Sequence, residues 1–271
     1  MARPDLPLLI EPTELVAHLG APDLRIVDLN QPSVYTRAHV PSAVHLDYGR
    51  IVASRPPAMA LLPDAEQLGA ALGSIGIAPE DHVVAYDDEG GGRASRLLWT
   101  LDAIGHQGAS LLNGGLRAWL AERLPTESGM STVAPTRYPV RIVGDVEADK
   151  NYVLAHLNDP SVVLVDARSP EEYAGTTKRA ARGGHIPGAV NFNWTDAIDP
   201  TRHLRLRDAA ALRRVLEKLG VTPDKEAITY CQTHHRSAHT YMVLKILGYR
   251  RVRSYPGSWS EWGNLPDTPI E

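Results

Sequence analysis

The sequence predicts an α/β protein in which one domain, a mostly parallel sheet with helices on both faces, occurs twice in tandem. Three observations lead to this prediction: motifs recur in both halves, short apolar runs alternate with amphipathic segments, and 271 residues suit two ordinary domains. With 43% hydrophobic and 22% charged residues, the composition is typical of a soluble globular protein and supplies apolar side chains for two cores.

Five markers recur in the same order in the two halves. The runs LRIVDLN and VVLVDAR carry Asp28 and Asp166, which are 138 residues apart, and the AHL triplets before them keep that spacing. AHVPSAVHL and GHIPGAVNF follow at a spacing of 146, because the second half contains about eight extra residues, TTKRAARG. IAPEDHVVAYD and VTPDKEAITYC then end at Asp87 and Cys231, and NGGLRAW and PGSWSEW complete the series at spacings of 144 and 143.

These markers predict domain boundaries. The first copy is assigned to residues 1–124 and the second to residues 146–271. The segment between them, residues 125–145, contains proline, serine and glycine, a composition typical of linkers.

The pattern within each copy predicts the individual elements. Residues 227–230 are nearly all apolar, as in strands that are buried on both faces. Residues 208–219 and 237–247 have apolar side chains at helical spacing, and Thr13 and Asp208 are candidate helix N-caps. Strands that alternate with helices form a mostly parallel sheet covered on both faces.

The composition also excludes several classes of protein. A net charge of −4 gives no reason to expect nucleic-acid binding, and no run of 18 apolar residues predicts a membrane-spanning helix. The N-terminal MARPDLPLLIEPTELV has an acid and prolines where a signal peptide needs a continuous apolar stretch, so we expect a cytoplasmic protein. The single cysteine excludes an internal disulfide.

That cysteine opens the most informative stretch, AITYCQTHHRSAH. Cys231 follows a predicted buried strand, and a helix is predicted to begin near Ser237. In parallel α/β sheets, ligands bind beyond the carboxyl ends of the strands, where loop N–H groups and the helix dipole favour anions. Arg236 closes the loop, and His234 and His235 add partial positive charge. Each feature favours the thiolate, so Cys231 is predicted to be a nucleophile.

The loop sequence is compatible with three other interpretations. Cys231 could be a small buried hydrophobic residue, as free cysteines often are. Cys231, His234, His235 and His239 could bind a metal, but structural zinc takes paired ligands from two places and the chain has no second cysteine, so no metal is predicted. Cysteine-dependent phosphatases also use a Cys-to-Arg loop. The phosphatases related to this fold have a loop longer by one residue, which suits phosphate better than a single sulfur.

Several motifs together resemble a known family. VRSYPGSWSEW (residues 252–262), YTRAHVPSAVHL, GHIPGAVNF and VDARSPEEY (residues 165–173) resemble the signatures of tandem-domain rhodaneses, the thiosulfate sulfurtransferase family, and the resemblance covers nearly the whole chain. The chain departs from the pattern at Ser42, where the family usually has glycine. The insertion also moves the tyrosine away from GHIPG. The CQTHHR loop is similar to that of a bacterial subgroup usually called thiosulfate sulfurtransferases.

The resemblance implies a reaction that needs no cofactor. The Cys231 thiolate takes a sulfur atom from a small anionic donor such as thiosulfate and becomes a persulfide, and a thiophilic acceptor (cyanide, a thiol or a protein cysteine) then removes the sulfur. Arg236 and the loop N–H groups stabilise negative charge. The expected substrate-binding residues are Gln232, Thr233, His234, His235, Arg168 and Arg182. Arg168 matches a family position that contacts the donor, and Arg182 belongs to the basic insertion with Lys178 and Arg179.

The resemblance also implies one active site per chain. A carboxylate at Asp87 cannot hold a sulfane sulfur, and Asp88 and Glu89 would repel anions, so the N-terminal copy is predicted to be catalytically inactive. Two alternatives stay open: 3-mercaptopyruvate as the donor, and a persulfide carrier that delivers sulfur to a protein partner. No nucleic-acid or membrane partner is expected, and the family implies a monomer.

Overall fold

The computed structural model describes residues 6–143 and 145–271. In these residues the strands are β1 (Leu9–Ile10), β2 (Leu24–Asp28), β3 (Val44–His45), β4 (Ala53–Arg55), β5 (Ala58–Leu61), β6 (His82–Tyr86), β7 (Ala109–Leu112), β8 (Val162–Asp166), β9 (Val190–Asn191), β10 (Ile198–Asp199), β11 (Arg205–Leu206), β12 (Glu226–Tyr230) and β13 (Val252–Ser254). The α-helices are α1 (Pro12–Val16), α2 (Pro32–Tyr35), α3 (Ala65–Ser74), α4 (Gly92–Ala103), α5 (Gly115–Ala121), α6 (Lys150–Ala155), α7 (Pro170–Tyr173), α8 (Ala209–Lys218), α9 (Arg236–Ile246) and α10 (Ser258–Trp262).

Two parallel sheets confirm the predicted fold class. The first has the strand order β1-β7-β6-β2-β3 and the second the order β13-β12-β8-β9, and each pair of neighbours is parallel. The second sheet therefore repeats the first. At the edge of the second sheet that corresponds to β1 of the first, Glu147 and Ser254 form a parallel bridge. Helices flank both sheets, as the alternation of strands and helices predicts.

The chain divides into two compact units that each include a segment from the other half of the sequence. The first unit comprises residues 6–52, 63–143 and 199–206, and the second Ala53–Leu62, Asp145–Ile198 and Arg207–Glu271. The antiparallel hairpin of β4 and β5 thus belongs to the second unit. Most of the proposed linker lies in the first unit, where Tyr138 is buried and the Thr136 N–H donates to Gly73 O. The repeat pattern gives no sign of this exchange of segments.

Each unit has its own apolar core around its sheet. In the first unit Val84 and Tyr86 of β6 pack with Trp119. In the second unit the equivalent residues of β12, Ile228 and Tyr230, belong to the core. The central strands are buried on both faces, as their nearly continuous apolar sequence requires.

Helix ends agree with the predictions only in part. The Asp208 side chain accepts a hydrogen bond from the Ala211 N–H and caps α8, as predicted. The prediction for Thr13 was wrong: α1 begins at Pro12 with Glu11 as N-cap, because proline favours the first position of a helix. In the described ranges, 6–143 and 145–271, no helix has the length and hydrophobicity that a bilayer crossing requires.

Candidate active site

Cys231 lies at the carboxyl end of a central strand. It directly follows β12, which pairs with β13 on one side and β8 on the other, so the residue emerges in the interior of the second unit. The start of α10 fixes the backbone of the Cys231 loop (residues 231–236). The Trp259 N–H donates to Cys231 O at 2.9 Å, and the Ser260 N–H donates to Gln232 O at 3.0 Å. The loop is therefore held by strand and helix together.

The sulfur of Cys231 is surrounded by hydrogen-bond donors. The Ser237 hydroxyl donates to Sγ over 3.4 Å, and the backbone N–H groups of Thr233 and Ser237 also point at it. Burial on its own raises the pKa of the thiol. The charge of Arg236 and these hydrogen bonds outweigh burial, and the pKa of Cys231 lies below its ordinary value. Cys231 is fully buried, so burial alone does not distinguish a reactive thiol from an inert one, but the donors do.

Arg236, the first residue of α9, is held by a residue that the sequence analysis missed. Its Nη1 and Nη2 lie 2.6 and 3.0 Å from the two carboxylate oxygens of Glu172, whose side chain is 4% exposed. Glu172 is itself fixed by a capping box with Ser169 at the start of α7. The Ser-x-x-Glu signature of that box is visible in the sequence, although its partner Arg236 is not.

Glu172 and Arg236 stabilise each other's charged forms. Burial raises the pKa of Glu172, but the hydrogen bonds and charge of Arg236 outweigh it and leave the pKa below its ordinary value. Burial lowers the pKa of Arg236, and its bonds to Glu172 and the charge of Cys231 raise it above its ordinary value. Both groups are therefore ionised at neutral pH, and Arg236 acts on the thiol as a fixed cation.

Arg168 is enclosed by groups of the protein itself. It is 1% exposed, and its Nε and Nη2 donate to both oxygens of the buried Asp166 and to the Gly184 carbonyl. The guanidinium also lies over the Trp259 ring, 4.4 Å from its centre. Because these partners enclose the side chain, the geometry does not support a direct contact between Arg168 and a donor anion. Arg168 instead braces the end of β8.

The basic insertion (residues 176–183) contacts the loop through Arg179 rather than Arg182. The Gln232 side-chain N–H donates to the Arg179 carbonyl at 3.0 Å, and Arg179 Nε lies 3.1 Å from Glu172, with 62% of its side chain exposed. Arg182 donates instead to the carbonyls of Trp262, Leu265 and Thr268. Arg182 therefore anchors the insertion to the chain that follows α10.

The histidines of the loop have different surroundings. His234 is buried in the left-handed region at φ 49°, with Nδ1 2.9 Å from the Ser237 hydroxyl, the same hydroxyl that contacts Cys231. His235 is partly exposed, and its ring meets the Trp194 ring edge-on with centroids 5.6 Å apart. Across residues 6–143 and 145–271, no group of three or more His, Cys, Asp or Glu residues has an arrangement that could hold a metal ion.

The equivalent loop of the first unit is filled by its own side chain. The Asp87 carboxylate accepts hydrogen bonds from the N–H groups of Glu89, Gly91 and Ala94 at 3.0, 2.8 and 3.0 Å. Burial raises the pKa of Asp87, and the charge of Glu89 raises it further. The cradle that could receive an anion is thus occupied by a buried carboxyl group.

The two parallel α/β repeats and a cysteine in a cradle of donors define a class of protein. A family model, the rhodanese-like domain, matches residues 11–122 and 149–265. The chain therefore belongs to the rhodanese family, which confirms the predicted family and its tandem arrangement.

Individual relatives cover almost the whole chain. Thiosulfate sulfurtransferases of Azotobacter vinelandii and Pseudomonas aeruginosa are 50% and 49% identical to it, with 98% of this chain and 97% and 98% of theirs covered. A sulfur carrier protein of Thermus thermophilus is 34% identical, with 93% of this chain and 92% of its own covered.

Solved structures show the same fold. The crystal structure of Escherichia coli SseA, described with the rhodanese fold and the mechanism of 3-mercaptopyruvate sulfotransferases, has a TM-score of 0.84 at 25% identity, and the match covers 94% of this chain and 99% of that chain. The crystal structure of YnjE has a TM-score of 0.88 at 24% identity, covering 97% of this chain and 68% of its own, which shows the fold alone.

Proposed function

We propose that this protein is a thiosulfate sulfurtransferase that carries one sulfur atom at a time as a persulfide on Cys231. The observation on which this rests is the environment of the Cys231 sulfur, where one cation and several hydrogen-bond donors favour the thiolate. The names of the relatives with about half of their residues identical support thiosulfate as the donor.

The reaction is a double displacement. The Cys231 thiolate attacks the outer sulfur of thiosulfate, the sulfur–sulfur bond of the donor breaks, and sulfite leaves with the bonding electrons. The product is a persulfide anion on Cys231. A nucleophile such as cyanide then attacks the terminal sulfur, thiocyanate leaves, and the thiolate returns. No cofactor takes part in either step.

Each residue of the loop has a role in this proposal. The N–H groups that now face the Cys231 sulfur, those of Thr233 and Ser237, would hold the persulfide anion. Arg236 supplies positive charge and is held in place by Glu172. Gln232, His234 and His235 shape the walls of the site. Arg168 and Arg182 act indirectly, because their donors are directed to groups of the protein itself.

The first repeat is proposed to be catalytically inactive. Asp87 has no sulfur to carry, and its carboxylate fills the loop that would have to bind the donor. We further propose a monomer in the cytoplasm, where a reducing environment keeps a single cysteine available as a thiol.

Two other functions are supported by specific observations. The structural match to SseA favours 3-mercaptopyruvate as an alternative donor. The sulfur carrier of Thermus thermophilus favours transfer of the persulfide sulfur to a protein cysteine. Both keep Cys231 as the carrier and differ only in the donor or the acceptor.

Intact mass measured before and after incubation with thiosulfate, and again after cyanide, tests the proposal. We expect the gain of one sulfur atom, its removal by cyanide, and neither change in Cys231→Ser. A gain with 3-mercaptopyruvate but not with thiosulfate would establish the alternative donor. No gain with either compound would contradict the proposed function.

A further inference from the structure

The Arg236 guanidinium is already bound to a carboxylate inside the site. Both of its terminal nitrogens contact Glu172, at 2.6 and 3.0 Å. Arginine binds carboxylates and oxyanions such as phosphate or sulfate through the same pair of parallel N–H groups. The edge of Arg236 formed by its two terminal nitrogens is therefore taken by Glu172.

Glu172 is rigidly placed for this contact. Its side chain is 4% exposed, and it accepts a backbone hydrogen bond from Ser169 in the capping box of α7. Arg179 approaches the same carboxylate at 3.1 Å. An anion that enters the loop would have to displace a buried carboxylate that is fixed by three partners, which is unfavourable.

Glu172 also reduces the net positive charge of the loop. The charged and titratable groups that surround the Cys231 sulfur or its cation are Arg236 on α9, His234 and His235 in the loop, Arg179 in the insertion, Glu172 on α7, and the buried pair of Asp166 and Arg168 at the end of β8. Of the two acids, Asp166 is bonded to Arg168, whereas Glu172 bonds directly to Arg236. Removing the charge of Glu172 while leaving the others in place would make the loop more attractive to every oxyanion.

We propose that Glu172 is a specificity-determining residue: by occupying the Arg236 guanidinium, it keeps the affinity of the Cys231 loop for free oxyanions low. The loop then binds anions through its N–H groups and the charge of Arg236, without a bidentate contact from the guanidinium. The consequence for turnover rests on the proposed function. Glu172 prevents the leaving sulfite, and abundant anions such as inorganic phosphate, from staying in the site.

The test measures anion binding and needs no sulfur transfer, so it is independent of the proposed function. The rate of alkylation of Cys231 by iodoacetamide is followed at one fixed pH while inorganic phosphate is increased, since a bound anion protects the thiol. In Glu172→Gln we expect half-protection at a phosphate concentration about tenfold lower than in the unmodified protein, the effect of one charge-assisted hydrogen bond.

A matched control and a double variant make the outcome decisive. Glu171→Gln removes an exposed carboxylate from the same turn of α7 and should bind phosphate as the unmodified protein does. In Glu172→Gln with Arg236→Lys, the gain should vanish, because lysine has no second N–H group in a fixed fork. Should the glutamine variant not fold, Glu172→Met serves instead, with an apolar side chain of similar length.

Two results would overturn the inference. Equal protection of Glu172→Gln and the unmodified protein would mean that Arg236 does not turn to the anion when it is released. A gain that survives Arg236→Lys would mean that general electrostatics, and not the arginine fork, limits anion binding. If the unmodified protein failed to transfer sulfur but Glu172→Gln still bound phosphate more tightly, the proposed function would be wrong and the role of Glu172 would stand.

Discussion

Asp87 and Cys231 occupy the same position in the two repeats, and each is held by the backbone N–H group two residues further along the chain. In the first repeat the Glu89 N–H donates to the Asp87 carboxylate at 3.0 Å. In the second the Thr233 N–H points at the Cys231 sulfur. The fold thus supplies the same cradle twice: in the first repeat it holds a carboxylate, and in the second it holds the thiol of Cys231.

We predict that the cradle of N–H groups does not by itself make a thiol reactive. A cysteine placed at position 87 tests this. In Asp87→Cys made on a Cys231→Ser background, we expect the introduced thiol to alkylate at least about tenfold more slowly at neutral pH than Cys231 does in the unmodified protein. Burial raises a thiol pKa, and the position equivalent to Arg236 is Gly92, which supplies no cation. Iodoacetamide rates measured across a pH range provide the test, with Cys231→Ser alone as the blank. A thiol with a lowered pKa at this site would show that Arg236 is dispensable.

Ser237 should tune the reactivity of Cys231 through its hydroxyl. The hydroxyl donates to the sulfur and favours the thiolate, so Ser237→Ala should raise the thiol pKa. The higher pKa lowers the thiolate fraction, and with it the alkylation rate below the pKa, by about three- to tenfold, the effect of losing one hydrogen bond. The rates should converge at high pH, where both thiols are ionised.

The control for Ser237→Ala is Thr240→Val. Thr240 lies on the same helix, and its hydroxyl contacts the Arg236 carbonyl instead of the sulfur. Removing this hydroxyl should leave the pH dependence of the alkylation rate unchanged. Parallel shifts in both variants would indicate a general change of helix α9 rather than the loss of one hydrogen bond to the thiolate.

Arg168 is expected to matter for stability. Arg168→Met leaves the Asp166 carboxylate buried without its cation, which should lower the free energy of unfolding by about 3–5 kcal/mol. Urea unfolding measures this loss. Adding Asp166→Asn should recover part of it, because the uncompensated charge is removed. A variant Arg168→Met that kept full stability and raised only the KM for thiosulfate would instead support the predicted contact with the donor.

Arg182 and Lys178 of the insertion should respond differently to the same substitution. Arg182 donates to carbonyls beyond α10, so Arg182→Ala should cost about 1–3 kcal/mol of unfolding free energy. Lys178 is exposed, and Lys178→Ala should stay within about 0.5 kcal/mol. Unfolding curves of the two variants form the comparison. Equal effects would show that the insertion is not anchored by Arg182.

The turn at Ser42 shows how a local sequence departure is accommodated. Ser42 lies in the left-handed region at φ 62°, and Gly188, its counterpart in the second repeat, has φ 74°. Glycine adopts this conformation without a steric cost, which explains its preference at the position. Each backbone N–H donates to a glutamate, Glu127 in one repeat and Glu271 in the other. The sequence revealed the departure, and the structure shows the constraint.

The sequence by itself determined the features that depend on local order along the chain. Internal repetition gave the tandem arrangement, apolar periodicity gave the parallel sheets, and the position of Cys231 between a buried strand and a helix identified the candidate site. These properties are readable because strands and helices impose their own spacing on apolar side chains, and because the carboxyl end of a parallel strand is a fixed place in the fold.

Only the tertiary structure decided which charged groups meet. Arg236 and Glu172 are 64 residues apart, and neither the loop nor the capping box indicates that they form a bidentate pair. Arg168 is a second example. Its position in a family motif suggested a contact with the sulfur donor, but its guanidinium is bonded to Asp166. Long side chains reach partners that folding brings together from distant segments. Their pairing depends on distances of a few ångströms that no linear pattern encodes.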